Sequence, residues 1–232
     1  MLRAAAWLLF LLIVAPAGCV LILRWVDPPM TWTIWRSKAG GPSGRETVNW
    51  QPIPLQRMGP YAPIAVVAAE DQRFTRHKGF DLAAIKGAIE YNRKHEGSKR
   101  RRGGSTISQQ AAKNVFLWQG RTWVRKAAET YFTVLIEMLW GKRRILEVYL
   151  NCAEMGDGVF GIEAAARRHF HKAARELTRE EAALIAASLP APRKHNVTRP
   201  GPWLRKRQQW VLEQMRNLVG NDDIQALIGP QG

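Results

Sequence analysis

Gly103–Glu129 reads GGSTISQQAAKNVFLWQGRTWVRKAAE, and its two halves have the patterning of two consecutive helices. A glycine pair followed by Ser105 and Thr106 leads into the first helix, which the spacing predicts over about 105–118. The glycines expose backbone N–H groups at the helix start and the hydroxyls cap or donate, a setting that suits an anion. Gln109, Gln110 and Lys113 follow within one to two turns. The second helix is predicted over about 122–140, with Ala128, Tyr131, Leu135 and Met138 at helical spacing and Gly141 past its end. Arg121, Arg125, Lys126 and Glu129 lie at its entry. Arg125 and Lys126 sit four and three residues before Glu129, the spacing of ordinary surface ion pairs worth a few tenths of a kcal/mol. With Arg121 one turn earlier, the same residues also make a cluster of up to three cations facing one anion.

Upstream, Ile64–Ala69 is an apolar run that ends in Glu70, within a helix-like stretch starting at Pro63. A carboxylate half-buried at such an end has its pKa raised by desolvation and can accept a proton from a hydroxyl. The competing reading is a surface acid paired with Arg73 or Arg76. Asp71 reads as a surface acid, with an orienting partner or a metal ligand as the alternatives. His77 reads as a structural histidine where the chain turns at Gly79 into Asp81, and Phe74 as core. Asp81 is a candidate N-cap for a helix over 82–95 with Ala84, Ile85, Ala88 and Ile89 inward.

Further helices are predicted over 142–151, 161–170, from a Thr178/Glu181 capping box to Leu189, and over 203–219. No repeat or convincing strand series stands out, so the domain is mostly α. The organisation expected is a transmembrane anchor over 1–25, a juxtamembrane linker over 26–60 with at most a short strand, a catalytic domain over 61–220 and a C-terminal tail over 221–232.

The anchor rests on Ala4–Leu23, 20 uncharged residues, about the length that crosses a bilayer core. Trp7, Trp25, Trp32 and Trp35 cluster near this region as interfacial aromatics do. A cleaved signal is the rival, with Ala17-Gly18-Cys19 resembling a lipoprotein site, but the apolar run continues past Cys19. Positive charges follow the segment more than they precede it, so charge bias does not place the domain outside. The 232 residues carry 35 Lys and Arg against 19 Asp and Glu, a net charge of +16, which calls for an anionic partner: nucleic acid, anionic lipid or a phosphorylated substrate. The apolar segment shifts the balance toward a lipid-borne phosphate. The basic stretch Lys99–Arg102 is by default a solvated loop, with anionic headgroups as the other reading. Cys19 and Cys152 do not form a disulfide framework, and no Cys/His metal spacing is present.

Five motifs in order resemble those of the peptidoglycan glycosyltransferases, the domain shared by bifunctional penicillin-binding proteins and monofunctional biosynthetic transglycosylases. They are Glu70–Phe74 with His77, Gly79 and Asp81; Gly103–Gln110; Arg125–Glu129; Lys142–Asn151; and Arg207–Leu212. The chain ends soon after the fifth, so the monofunctional form is expected. The resemblance implies a lysozyme-like, mostly helical domain polymerising lipid II outside the bacterial cytoplasmic (inner) membrane. Glu70 would be the general base on the acceptor 4-hydroxyl, and Glu129 the second carboxylate, near the leaving group. Lys113, Arg121, Arg125 and Lys126 would compensate the departing pyrophosphate, while Ser105, Thr106, Gln109 and Gln110 would line the cleft. His77 would hold the first motif in place, and Tyr149 and Asn151 would buttress the fold. No cofactor is required on this reading, with Mg²⁺ left open. Partners would be lipid II, the growing glycan, the membrane and cell-wall synthesis or division proteins, and not nucleic acid. Two rivals stay open: a lytic hydrolase with a similar glutamate, and a membrane-tethered nucleic-acid binder.

Overall fold

The computed structural model describes residues 3, 7, 10–39, 48–97, 102–120 and 122–229. Among these, eleven α-helices dominate: α1 Ala15–Ile22, α2 Trp32–Lys38, α3 Tyr61–Glu70, α4 Leu82–Lys94, α5 Ile107–Phe116, α6 Trp123–Leu139, α7 Lys142–Cys152, α8 Ile162–Phe170, α9 Arg179–Ser188, α10 Pro202–Leu218 and α11 Asp222–Ile228. Three short strands, β1 Asn49–Trp50, β2 Glu154–Gly156 and β3 Val159–Phe160, form a small sheet in the order β1-β3-β2. β1 runs parallel to β3, and β2 antiparallel to it. Strands of two or three residues are too short to leave an alternating pattern, which is why the sequence shows no strand series.

The apolar run before Glu70 is the centre of the molecule. Ala62 through Ala69 are all buried, as a helix apolar all round must be. α9 and α10 pack along α3, with α7 and α11 also against it. α5 lies between α6 and α7. The stretch expected as a tail thus supplies α11, which Asn221 caps and whose end Arg143 clasps by donating to the carbonyls of Leu227 and Gly229 at 2.8 and 2.9 Å.

Helix starts follow the cap chemistry expected of them. Asp81 accepts from the N–H groups of Ala83 and Ala84, and Thr178 and Glu181 form their reciprocal box. Inward faces agree less well. On α4 only Ala88 is buried, while Ala84 and Ile89 are exposed and Ile85 is intermediate. On α6 the buried stripe is Glu129, Thr133 and Ile136, with Trp140 just beyond, one position off the apolar register, and Met138 is 75% exposed. Two polar residues displace the stripe because their groups are bonded inside the fold. Gly141 lies past the end of α6, which stops at Leu139 with Trp140 as its C-cap, and also serves as the N-cap of α7.

Among the described residues no helix is long and apolar enough to cross a membrane. Part of the predicted span, residues 4–6, 8 and 9, lies outside them; the rest forms a π-helical turn at Phe10–Val14 followed by α1. α1 packs on α6, and the Trp140 indole donates to the carbonyl of Val20 at 2.7 Å. Arg144 then holds the following turn through the carbonyls of Leu23 and Val26 and the carboxylate of Asp27. The segment expected as a linker carries α2 and β1, and its 40–47 lies outside the described residues. Asn151 pins this segment by exchanging two hydrogen bonds with the backbone of Ile53, the buttressing role expected of it.

Candidate active site

Glu70 is the last residue of α3, where the apolar helix meets the groove beside α5. Its Oε2 accepts from the Gln110 amide at 2.7 Å. Burial raises its pKa above the usual carboxylate value, against the opposing influence first of that amide and then of Arg207 and Lys113; Asp71 pushes it up further. The surface-pair reading fails for Arg73, which turns instead to Asp81 at 3.3 Å. Gln110 is itself held by the fully buried Tyr149, whose hydroxyl donates to its Oε1 at 3.3 Å. Fixing the amide oxygen on Tyr149 aims the amide nitrogen at Glu70.

Asp71 is buried, not a surface acid. Both carboxylate oxygens lie 3.0 Å from His77 Nε2, and Oδ2 also accepts from the Ile107 N–H at 3.0 Å. It therefore ties the first motif to the start of α5, and His77 is the structural histidine expected. Phe74 is fully buried, with the Lys142 ammonium 4.6 Å from its ring centroid. Gly79 carries φ +90°, and a Cβ there would stand 2.8 Å from Thr133 Cγ2. Its carbonyl accepts from the Thr106 hydroxyl at 2.6 Å.

The second motif divides between packing and groove. Thr106 and Gln109 are buried in a reciprocal capping box, so they hold α5 and do not line the cleft. With Asp71 on Ile107 N–H and Thr106 on Gln109 N–H, these two donors of the helix start are already occupied. The protein's own acceptors thus take two of the donors on which the expected anion site would draw. Ser105 is exposed, and Ser108 donates to Glu137, which also receives Lys142 at 2.6 Å. Gln110 and Lys113, one turn apart on α5, do line a cleft of about 390 Å³ together with Asn114, Tyr149, Glu154, Arg193 and residues of α2.

Glu129 is 3% exposed, so the surface-pair reading of its spacing does not hold. Arg125 Nη1 donates to it at 2.7 Å, and Lys126 reaches its other oxygen. Lys113 completes the set: burial lowers its pKa, while Glu129 and, more weakly, Glu70 oppose that shift. One lysine thus feels both carboxylates. Arg121 lies outside the described residues, as do 98–101 of the basic loop. Among the described residues no group of three or more His, Cys, Asp or Glu side chains is placed to hold a metal ion.

Two contributions were not assigned from sequence. Arg207 donates to the carbonyl of Ala69 at 3.0 Å, so the fifth motif braces the end of α3 beside the base candidate. Its place in that motif was the available signal. The α2 wall of the cleft carried none, because residues 26–60 show no sustained periodicity.

The fold thus brings together a desolvated carboxylate, the amide that orients it and a carboxylate-bound cluster of cations linked to it through Lys113. Residues 40–216 match the family model described as Transglycosylase, and the chain belongs to that family. It is 50% identical over 210 residues to a biosynthetic peptidoglycan transglycosylase of Pseudomonas aeruginosa, covering 88% of this chain and 87% of the relative. A namesake from Shewanella oneidensis is 48% identical over 200 residues, 86% and 84% of the two chains. One from Escherichia coli is 54% identical over 173 residues, 75% and 71% of the two. The family drawn from the five motifs is the family found.

Proposed function

We propose that this protein is a peptidoglycan glycosyltransferase that polymerises lipid II into linear glycan strands, working on the outer face of the bacterial inner membrane. The observation that carries the reading is Glu70: a carboxylate at the end of a buried helix, raised by desolvation and oriented by Gln110. A base with a pKa moved toward neutrality is better matched to a sugar hydroxyl than an ordinary surface carboxylate. Glu70 takes the proton of the acceptor 4-hydroxyl as its oxygen attacks the donor's anomeric carbon. The bond to undecaprenyl pyrophosphate breaks from the opposite face, with inversion.

Pyrophosphate is a good leaving group once its charge is compensated, so Glu129 is not needed as a proton donor. Its role is to hold Arg125 and Lys126 in place, with Lys113 alongside, as fixed charges facing the departing phosphates. Arg121 belongs to the same proposal on sequence grounds, and Ser105 and Gln110 are its groove contacts. The apolar segment before α2 and the tryptophans beside it keep the domain at the bilayer that carries the substrate's tail.

The test is incubation of the purified protein with lipid II in detergent, and separately with finished glycan. Chain lengthening with release of undecaprenyl pyrophosphate is the expected result. Shortening of finished glycan with no growth from lipid II would identify a lytic enzyme instead. Salt-sensitive DNA binding with neither reaction would identify a nucleic-acid binder.

A further inference from the structure

The helix before the family-matched region is built into the cleft. α2 is capped by Thr31 and anchored by Ile34, which is fully buried. Thr33 fixes it to α5 and the loop beyond: its hydroxyl donates to the carbonyl of Asn114 at 3.4 Å and accepts from the Gln119 amide at 2.8 Å. So docked, α2 presents Thr33, Arg36 and Ser37 to the cleft that Gln110 and Lys113 line from α5.

The cations in this cleft differ in what they are free to do. Arg193 is committed to Glu154 at 2.7 Å. Lys113 is desolvated and lies in the field of Glu129. Arg36 is exposed and makes no ion pair among the described residues, and a guanidinium keeps its charge at any working pH. A planar, always-charged fork at the mouth of a groove, with no carboxylate partner, suits a phosphate that arrives from outside.

We infer that Arg36 is a positioning residue for the donor, holding a phosphate of the lipid-linked diphosphate at the α2 wall of the cleft. This rests on the glycosyltransferase reading and extends it to an element outside the matched region, which begins at residue 40. Because α2 directly follows the apolar N-terminal segment, the contact couples the position of that segment to the seating of the substrate headgroup. The same phosphate chemistry is offered by ordinary anionic lipids, and the experiment separates the two sources.

Lipid II polymerisation is measured in detergent for the wild type, Arg36→Gln and Arg36→Lys, with inorganic pyrophosphate as competing anion. The expected result is a roughly tenfold rise in KM for Arg36→Gln with a smaller change in kcat, weaker inhibition by pyrophosphate, partial rescue by lysine and an unchanged melting temperature. A wild-type KM and wild-type pyrophosphate inhibition in Arg36→Gln would overturn the inference. So would a loss confined to binding of phosphatidylglycerol vesicles, which would make Arg36 a contact for bulk lipid. Direct titration of pyrophosphate onto wild type and Arg36→Gln keeps the two readings apart: equal binding overturns the Arg36 role whether or not the wild type polymerises, while failure of the wild type alone removes the glycosyltransferase reading.

Discussion

Glu70 and Glu129 are the same residue type and both act on Lys113, but their surroundings differ in kind. Glu70 ends a helix of buried apolar side chains, it accepts a hydrogen bond from a neutral amide, and its pKa is raised. Glu129 is buried, and two cations donate to it directly. Desolvation without a cationic donor pushes a carboxyl's pKa up, whereas the ion pairs at Glu129 arrange positive charge around it. Sequence spacing alone makes the pair of acids look alike.

The sharpest way to break this contrast is Glu70→Gln. The amide keeps the size and can still accept from Gln110, so polymerisation should fall at least about 100-fold while the fold persists. Linkage gives a second readout. Because the folded-state pKa of Glu70 lies above its value of 4.5 in the unfolded chain, the folded protein holds the extra proton between those two values, and wild-type stability falls as pH rises through that window. Glu70→Gln should therefore be more stable than wild type at neutral pH, with the gap closing in acid. Denaturant melts at pH 4 and 7.5 check it, and a less stable variant at neutral pH would argue against a desolvated base.

Glu129→Gln should act differently, losing stability along with activity. It strands Arg125, whose side chain is 11% exposed, and releases Lys126, at 41%. Breaking such a pair from one side costs about 3 kcal/mol, the low end of the range because Lys126 is already partly hydrated. Activity should drop on the order of 10- to 100-fold, at the scale of one lost electrostatic contact to the leaving group. A variant with full stability and full turnover would remove Glu129 from the site.

The two regions touch at Gly79, and Gly79→Ala tests that joint. The added methyl meets Thr133, one turn after Glu129 on α6, at a φ of +90° that alanine tolerates poorly. About 2 kcal/mol of destabilisation is expected by chemical denaturation, with KM and kcat near wild type at temperatures where the fold is retained.

How much of this was legible depends on the residues. Helices with strong caps read true: Asp81, Thr106 and the Thr178/Glu181 box each start a helix where expected, because a cap is a local hydrogen bond encoded within four residues. The inward face of α6 did not, since Thr133 and Glu129 are buried through polar contacts that hydrophobic spacing cannot register. Asp71 looked like a surface acid because its partners, His77 and the Ile107 N–H, are 6 and 36 residues away and only the fold joins them. Thr106 and Gln109 were expected in the cleft from the family resemblance; in the fold the capping box that starts α5 engages both. The weakly patterned residues 26–60 gave no sign of α2, which owes its place to Thr33, Ile34 and the tie to Asn114.

The most direct test of Glu70 as the base is the pH dependence of kcat/KM for chain growth from lipid II. The expected profile rises to a plateau with an apparent pKa above the ordinary carboxylate range, and Gln110→Leu moves that rise to higher pH, because the amide bond is what holds the carboxyl's pKa down. A profile flat to pH 4.5, or one that Gln110→Leu leaves in place, would contradict the assignment.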